Sequence, residues 1–242
     1  MNTFQHVAES YNPTTFSVAH GYPKRFEVSD VDVSWDVPVQ GYRPSRYTAD
    51  EILNAPYGDR REQANIEKIG ARLLENDIVR FSVDGQPLNP HGRTGIEGRG
   101  SLGCYGPNYL GVFALIAANA TVLVIERSDN GAIALPAGYR EGSESMLQAA
   151  TREAREEVIP DYDFSAARRV GDLFMIPDPK TTDNAWLMAG VAADTIEDSS
   201  MVVLQPLKAE VRHAMWLPIT EAQDRLFPAH AHALDFVLRS LV

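Results

Sequence analysis

Cysteine is nearly missing from this chain of 242 residues. Cys104 stands alone, so no intrachain disulfide can form and no zinc site can be built from thiolates. Basic residues are scarce as well. Lys and Arg number 22 against 33 Asp and Glu, a net charge of −11. Such a surface repels a phosphate backbone, which argues against a nucleic-acid binder working by charge neutralisation. A small anionic substrate would need cations, or local Arg and Lys, to offset the same field. Long apolar runs are lacking too. The most apolar stretch, residues 109–125, is shorter than the ~20 residues a bilayer requires, and Asn119 interrupts it. It reads instead as two buried strands at 112–117 and 121–126, joined by a tight turn at Asn119-Ala120. Residues 1–20 show neither a basic start nor an apolar core, so no secretory leader is expected and a cytoplasmic location without membrane attachment is. Internal repeats and low-complexity tracts do not occur.

What is present is an ordinary globular composition. Hydrophobic residues make up 44% and charged ones 23%, enough to bury a core in one large domain or two small ones. Alternation over residues 31–39 suggests a strand, and Thr48-Ala49-Asp50-Glu51 looks like a helix start. Ile66, Ile69, Leu73 and Leu74 recur at helical spacing, so an amphipathic helix is expected within residues 60–75. Residues 84–108 are dense in Gly, Pro, Asn and Arg, which marks a long ordered loop. Beyond it, strands and helices alternate. The expected organisation is therefore a smaller N-terminal domain at 1–108, followed by an α/β or α+β domain at 109–242.

The informative segment of the second domain is an acidic helix. Ser145 followed by Gln148 has the form of a capping box, and Pro160 disfavours the α conformation at Ile159, so the helix should run from Ser145 to about Val158. Leu147, Ala150, Thr151, Ala154 and Val158 then share one side and can face a sheet. Glu153, Glu156 and Glu157 form a stripe on another side, three and four residues apart, so three carboxylates converge. That stripe has two explanations. It can be a solvated acidic face offset by Arg152 and Arg155, or a place where a hard divalent cation turns repulsion into coordination.

The spacing upstream favours the cation. Gly138, five residues, Glu144, seven residues, Arg152-Glu153, two residues, Glu156-Glu157 resembles the Nudix box at each charged position and at its first glycine. Two positions depart from it: Ile159 stands where the box has a glycine, and Pro160 where it has an apolar residue. Both shape the helix exit and supply no metal ligand. The resemblance implies a Nudix α/β/α sandwich with a mixed sheet, hydrolysing a nucleoside diphosphate linked to another moiety with Mg²⁺ or Mn²⁺. It implies Glu153 and Glu157 as principal ligands, Glu156 as a supporting one, and the carbonyl of Ala137 as another. Arg152 would orient Glu153, and Glu144 would brace the loop before the helix. Metal ions would neutralise the diphosphate and acidify a bound water, which reconciles an anionic protein with an anionic substrate. A box glutamate or Glu210 could take the water's proton.

Further segments resemble one group within this family, the mitochondrial-type ADP-ribose pyrophosphatases and the ADP-ribose-sensing domain of a melastatin-type cation channel. They are Tyr22-Pro23, Gly41-Tyr42-Arg43-Pro44-Ser45-Arg46-Tyr47-Thr48-Ala49, Asn89-Pro90-His91-Gly92-Arg93-Thr94-Gly95, Gly98-Arg99-Gly100, Leu102-Gly103-Cys104-Tyr105-Gly106-Pro107-Asn108 and Asp178-Pro179-Lys180-Thr181-Thr182-Asp183-Asn184-Ala185-Trp186. The likeness implies ADP-ribose, or a related nucleoside diphosphate derivative, as the small-molecule partner, and a place in nucleotide metabolism. A monomer is expected. Asp178 would contact the ribose and Lys180, where the group has Arg, a phosphate. A lysine is a point charge without the bidentate fork of arginine. Phe227 would stack on adenine, His230 would touch substrate, and Asn184 would belong to the same set. Each has a plainer alternative: a turn at Asp178-Pro179-Lys180, a loop pinned by a buried Trp186, a core Phe227, a helix-end His230. Arg93 and Arg99 could hold a phosphate or the terminal ribose, or could tie the two domains together by binding backbone carbonyls and carboxylates. The activity expected is Mg²⁺-dependent hydrolysis of ADP-ribose to AMP and ribose 5-phosphate. The competing readings are another ADP-linked substrate, such as NADH or an ADP-sugar, and a non-catalytic ADP-ribose sensor.

Overall fold

The structure is a computed structural model and describes residues 21–54, 64–74, 77–176 and 178–240. The leader reading for residues 1–20 and part of the helix expected over 60–75 lie outside these. The chain divides into two compact units, one of Met1–Asn108 with Met175–Leu187, the other of Tyr109–Phe174 with Met188–Val242. The first unit thus takes in a segment that the sequence reading placed in the second domain.

The first unit holds β1 (Ser45–Thr48), α1 (Asp50–Leu53), α2 (Ile66–Arg72), β2 (Arg80–Phe81), β3 (Pro87–Leu88) and β4 (Ile96–Gly100). β1 pairs in parallel with β4, and β2 antiparallel with β3. Asn65 caps α2 by accepting from the Lys68 amide at 2.9 Å, and Leu73 leaves the helix with ψ 138. Two expectations need correction here. Residues 31–39 form no strand; Asp30–Asp32 is a 3₁₀ turn. The Arg93 guanidinium gathers the carbonyls of Asp32 (2.7 Å), Ser34 (2.5 Å) and Val37 (3.0 Å), and this curls the backbone that alternation alone would extend. Residues 84–108 are not simply a loop. They contribute β3 and β4, and their polar residues Asn89, Arg99 and Asn108 are buried.

The second unit carries the larger sheet. Its strands are β5 (Gly106–Ala117), β6 (Thr121–Arg127), β7 (Ile133–Ala134), β8 (Ala137–Tyr139), β9 (Arg168–Ile176), β10 (Ala185–Ile196) and β11 (Val211–Pro218). The order is β11-β6-β5-β10-β9, with β7 on β6 and β8 on β5. The β5–β6 hairpin turns where expected, with Ala120 at φ 58 in the left-handed region. The helices are α3 (Met146–Glu157), α4 (Ile219–Arg225) and α5 (Pro228–Ser240). Phe113, Leu115, Leu123 and Ile125 from the sheet close on Ala150, Ala154 and Val158 of α3 in one buried cluster. Sheet and helix layers around such a core make an α/β architecture.

Two glycines let α3 and the sheet approach. Gly111 on β5 pairs with Gly138 on β8. A Cβ on Gly111 would meet the backbone of Ala149 and Ala150 on α3. One on Gly138 would overlap the Glu153 carboxylate. Among the described residues, no helix is long and apolar enough to cross a membrane.

Candidate active site

Helix α3 starts as its sequence dictates. The Ser145 hydroxyl accepts from the Gln148 amide, and the Gln148 side chain returns the bond to the Ser145 amide at 2.8 Å. The helix ends at Glu157 with Val158 as its C-cap. Its small residues, Ala149, Ala150 and Ala154, face the sheet, which draws Glu153 and Glu157 down beside β8 at 6% and 3% exposure. Glu156, one position round the helix, stays open to solvent.

Arg152 organises the carboxylates. Its Nε and Nη2 donate to the two oxygens of Glu144 at 2.8 and 3.1 Å, and Nη2 also donates to the Tyr139 carbonyl at 2.8 Å. Its Nη1 donates to Glu153 Oε1 at 2.7 Å and lies 3.5 Å from Glu156 Oε2. Hydrogen bonding to Glu144 holds the guanidinium firmly protonated, and the same contact keeps the Glu144 carboxyl below the usual range. Glu144 Oε2 accepts from the Glu141 amide at 2.9 Å, which fastens the loop leading into the helix.

Glu157 turns the other way, and its Oε2 accepts from the Ala137 amide at 3.1 Å. Burial, reinforced by the charge of Glu153, pushes its carboxyl up to about 8. The exposed Glu210 adds to that push. A cation is what such a cluster lacks, and the chain itself supplies one. Lys208 Nζ sits 2.5 Å from Glu153 Oε2 and 3.1 Å from Glu156 Oε2. Burial works against the ammonium, but its bonds to both glutamates outweigh that and raise its pKa. Lys208 was not singled out in the sequence, because no spacing rule links it to a helix fifty residues earlier.

The donor set suits a hard divalent ion, since every ligand offered is oxygen. Two of the three carboxylates already converge on a compact cation, and Gly138 leaves the space that the Glu153 carboxylate fills. With Arg152 and Lys208 interleaved, the described residues contain no trio of acidic, His or Cys side chains arranged around a shared open point.

His230 and Phe227 lie against the loop that leads to Ala137. The Phe227 amide donates to the Ile133 carbonyl at 2.9 Å, and the Leu135 amide donates to His230 Nδ1 at 3.2 Å. The Phe227 ring is half-buried and meets the His230 ring edge-on. His232 faces Phe174 instead, so the two histidines, two residues apart, diverge. Burial, with a smaller push from Arg127, lowers the His230 imidazole to about 4. Between pH ~6.5 and ~4 the unfolded chain takes a proton that the folded chain refuses, so stability should fall as pH drops through this window, by up to about 3 kcal/mol. Urea midpoints between pH 7 and pH 4.5 test this. His230→Gln, which keeps an acceptor for Leu135, should flatten the pH dependence; an unchanged slope would mean that the imidazole titrates normally.

The remaining candidates belong to the first unit. Asp178 and Lys180 form a turn in which Asp178 Oδ1 accepts from the Lys180 amide at 2.7 Å. Tyr22 donates to the Lys180 carbonyl at 3.0 Å, and Arg25 to those of Pro179 (2.6 Å) and Thr181 (3.0 Å). Arg25 did not stand out in the sequence, since these partners lie some 150 residues away. Arg93 and Arg99 both bind backbone carbonyls. Arg93 holds the three carbonyls already named and lies over Trp35, while the fully buried Arg99 donates to the Gly103 carbonyl at 2.8 Å. Asn184 is also committed: its Oδ1 accepts from the Gly98 amide and its Nδ2 donates to the Pro87 carbonyl. These three side chains are buried and bond to backbone. Trp186 is buried, in keeping with a packing role.

A sheet flanked by a carboxylate-bearing helix, with Gly138 opposite Glu153, defines a Nudix domain. The family model described as NUDIX domain matches residues 107–237, and the chain belongs to that family of hydrolases. Residues 28–106 match the NUDT9-like, N-terminal domain. A transient receptor potential cation channel subfamily M member-like 2 of Nematostella vectensis is 30% identical over 68% of this chain. The chain spans only 13% of that channel's length. The mitochondrial ADP-ribose pyrophosphatase of Rattus norvegicus is 26% identical over 88% of this chain and 73% of its own. A Caenorhabditis elegans protein named for nudix hydrolases is 26% identical over 89% of this chain and 91% of its own.

Proposed function

We propose that this chain hydrolyses the pyrophosphate of ADP-ribose, releasing AMP and ribose 5-phosphate, with Mg²⁺ (or Mn²⁺) at the α3 carboxylates. The observation that carries the reading is the convergence of Glu153 and Glu156 on one compact cation, with the Glu153 carboxylate seated against Gly138. The substrate is argued from relatives: the rat ADP-ribose pyrophosphatase aligns with most of this chain.

Glu153, Glu156, Glu157 and the Ala137 carbonyl would hold the ion, which when bound neutralises the diphosphate and acidifies a water. Arg152 orients the Glu153 carboxylate through Oε1, so that Oε2 faces the cation. Glu144 fixes Arg152 in turn, and its bond to the Glu141 amide braces the loop. Glu157 tethers the Ala137 amide, which sets the backbone beside the site. A box glutamate or Glu210 accepts the proton of the attacking water. By resemblance, Asp178 contacts the ribose, Lys180 a phosphate and Phe227 the adenine, while His230 holds the Leu135 loop.

Product chromatography with Mg²⁺ over ADP-ribose, NADH, ADP-glucose and diadenosine phosphates tests the assignment. ADP-ribose should give the highest kcat/KM, with AMP and ribose 5-phosphate as products. A preference for another substrate would overturn the ADP-ribose reading and leave the hydrolase. Binding of ADP-ribose without turnover would make the chain a sensor.

A further inference from the structure

We propose that Lys208 is a tethered counter-cation of the carboxylate site: it holds the place of the divalent ion in the metal-free protein and must leave it when that ion binds. The inference rests on the metal reading above.

The lysine is delivered by backbone and not by the chance reach of a long side chain. Ahead of β11, the Gln205 amide donates to the Val158 carbonyl at 2.8 Å and the Leu207 amide to the Glu157 carbonyl at 2.9 Å. Both acceptors are among the carbonyls that the end of α3 leaves unpaired. The Val211 amide then closes on the Lys208 carbonyl at 2.9 Å, which fixes the residue in a turn. Its Nζ is thereby set on Glu153 Oε2 and Glu156 Oε2, with the side chain only 28% exposed.

The charge balance explains why a cation belongs there. Arg152 spends Nε and Nη2 on Glu144 and Tyr139, leaving Nη1 alone for the α3 stripe. One guanidinium nitrogen shared between Glu153 and Glu156 offsets their charge only in part, and the ammonium adds a second cation on the other Glu153 oxygen and the same Glu156 oxygen. A divalent ion bound to the same two oxygens would stand within a few ångströms of Nζ, where two cations repel strongly in a partly buried site. Metal binding therefore displaces Lys208, and the site binds metal more weakly than its carboxylates alone would. Lys208 is a positioning residue that sets metal affinity.

The test measures Mn²⁺ binding by calorimetry without substrate, together with Tm in chelator and in saturating Mn²⁺. Lys208→Met should tighten Mn²⁺ about tenfold, equivalent to about 1.4 kcal/mol. It should also lower Tm in chelator, and saturating Mn²⁺ should bring it back to the wild-type value. Lys208→Arg should restore the wild-type Kd. Arg212→Met removes a positive charge that pairs with Glu126 instead, and should change neither reading. An unchanged or weaker Kd in Lys208→Met overturns the proposal, as does equal tightening in Arg212→Met, which would reveal a general field effect. Lys208→Gln serves in place of Met if that variant does not fold. Wild-type protein that binds no Mn²⁺ defeats the metal reading as well; Mn²⁺ binding that ignores residue 208 defeats the lysine's role alone.

Discussion

Glu157→Gln is expected to lower kcat toward ADP-ribose by about a thousandfold, about 4 kcal/mol of transition-state stabilisation, with Tm near wild type. The substitution isolates charge. Glu157 is 3% exposed, and its Oε2 is an acceptor for the Ala137 amide, a role the Gln carbonyl oxygen can keep at nearly the same volume. What Gln cannot supply is a negative ligand. In the metal-free fold that charge is unwelcome, because burial and Glu153 raise the carboxyl to about 8, so its removal should not destabilise the protein. A buried carboxylate that is unfavourable alone and functional with a cation is the pattern of a metal site. Kinetics at saturating Mg²⁺, alongside thermal unfolding in chelator, separate the two effects. Wild-type turnover in the variant would remove Glu157 from the ligand set.

Gly138→Ala should lower kcat/KM by about a hundredfold while the protein still folds. The new methyl group would overlap the Glu153 carboxylate, the far end of a side chain able to swing aside. Gly138 does not have a left-handed φ, so the backbone accepts alanine without strain. The cost falls on position: Glu153 would leave its place between Arg152 and Lys208, and a displacement of about 1 Å in a reacting geometry can cost about 10²-fold. Circular dichroism and unfolding should resemble wild type. Full activity would mean that Glu153 need not stand where it does, and gross unfolding would place Gly138 in the fold instead of the site.

Local signals were legible before the structure, and distant ones were not. The capping box at Ser145 and Gln148 and the stop at Val158 act over three or four residues, so the helix and its acidic stripe could be read directly. The β5–β6 hairpin was equally local. Residues 31–39 misled because Arg93, some sixty positions away, bends that backbone onto its guanidinium. The backbone bonds of Arg99 and Asn184 could not be read ahead, because a buried arginine or asparagine looks the same in sequence whether it binds a substrate or a carbonyl. Lys208 escaped notice for a related reason. Its meaning comes from two backbone bonds that dock residues 205–207 on the end of α3, and no motif encodes such a contact.

The most direct trial follows ADP-ribose through protein stripped with chelator and then resupplied with Mg²⁺, resolving AMP and ribose 5-phosphate by chromatography. Both products should be missing without the metal and should form in equal amounts once it is restored, with Glu157→Gln forming them about a thousandfold more slowly. Undiminished AMP release in chelator, or ADP-ribose bound intact at saturating Mg²⁺, would contradict the account.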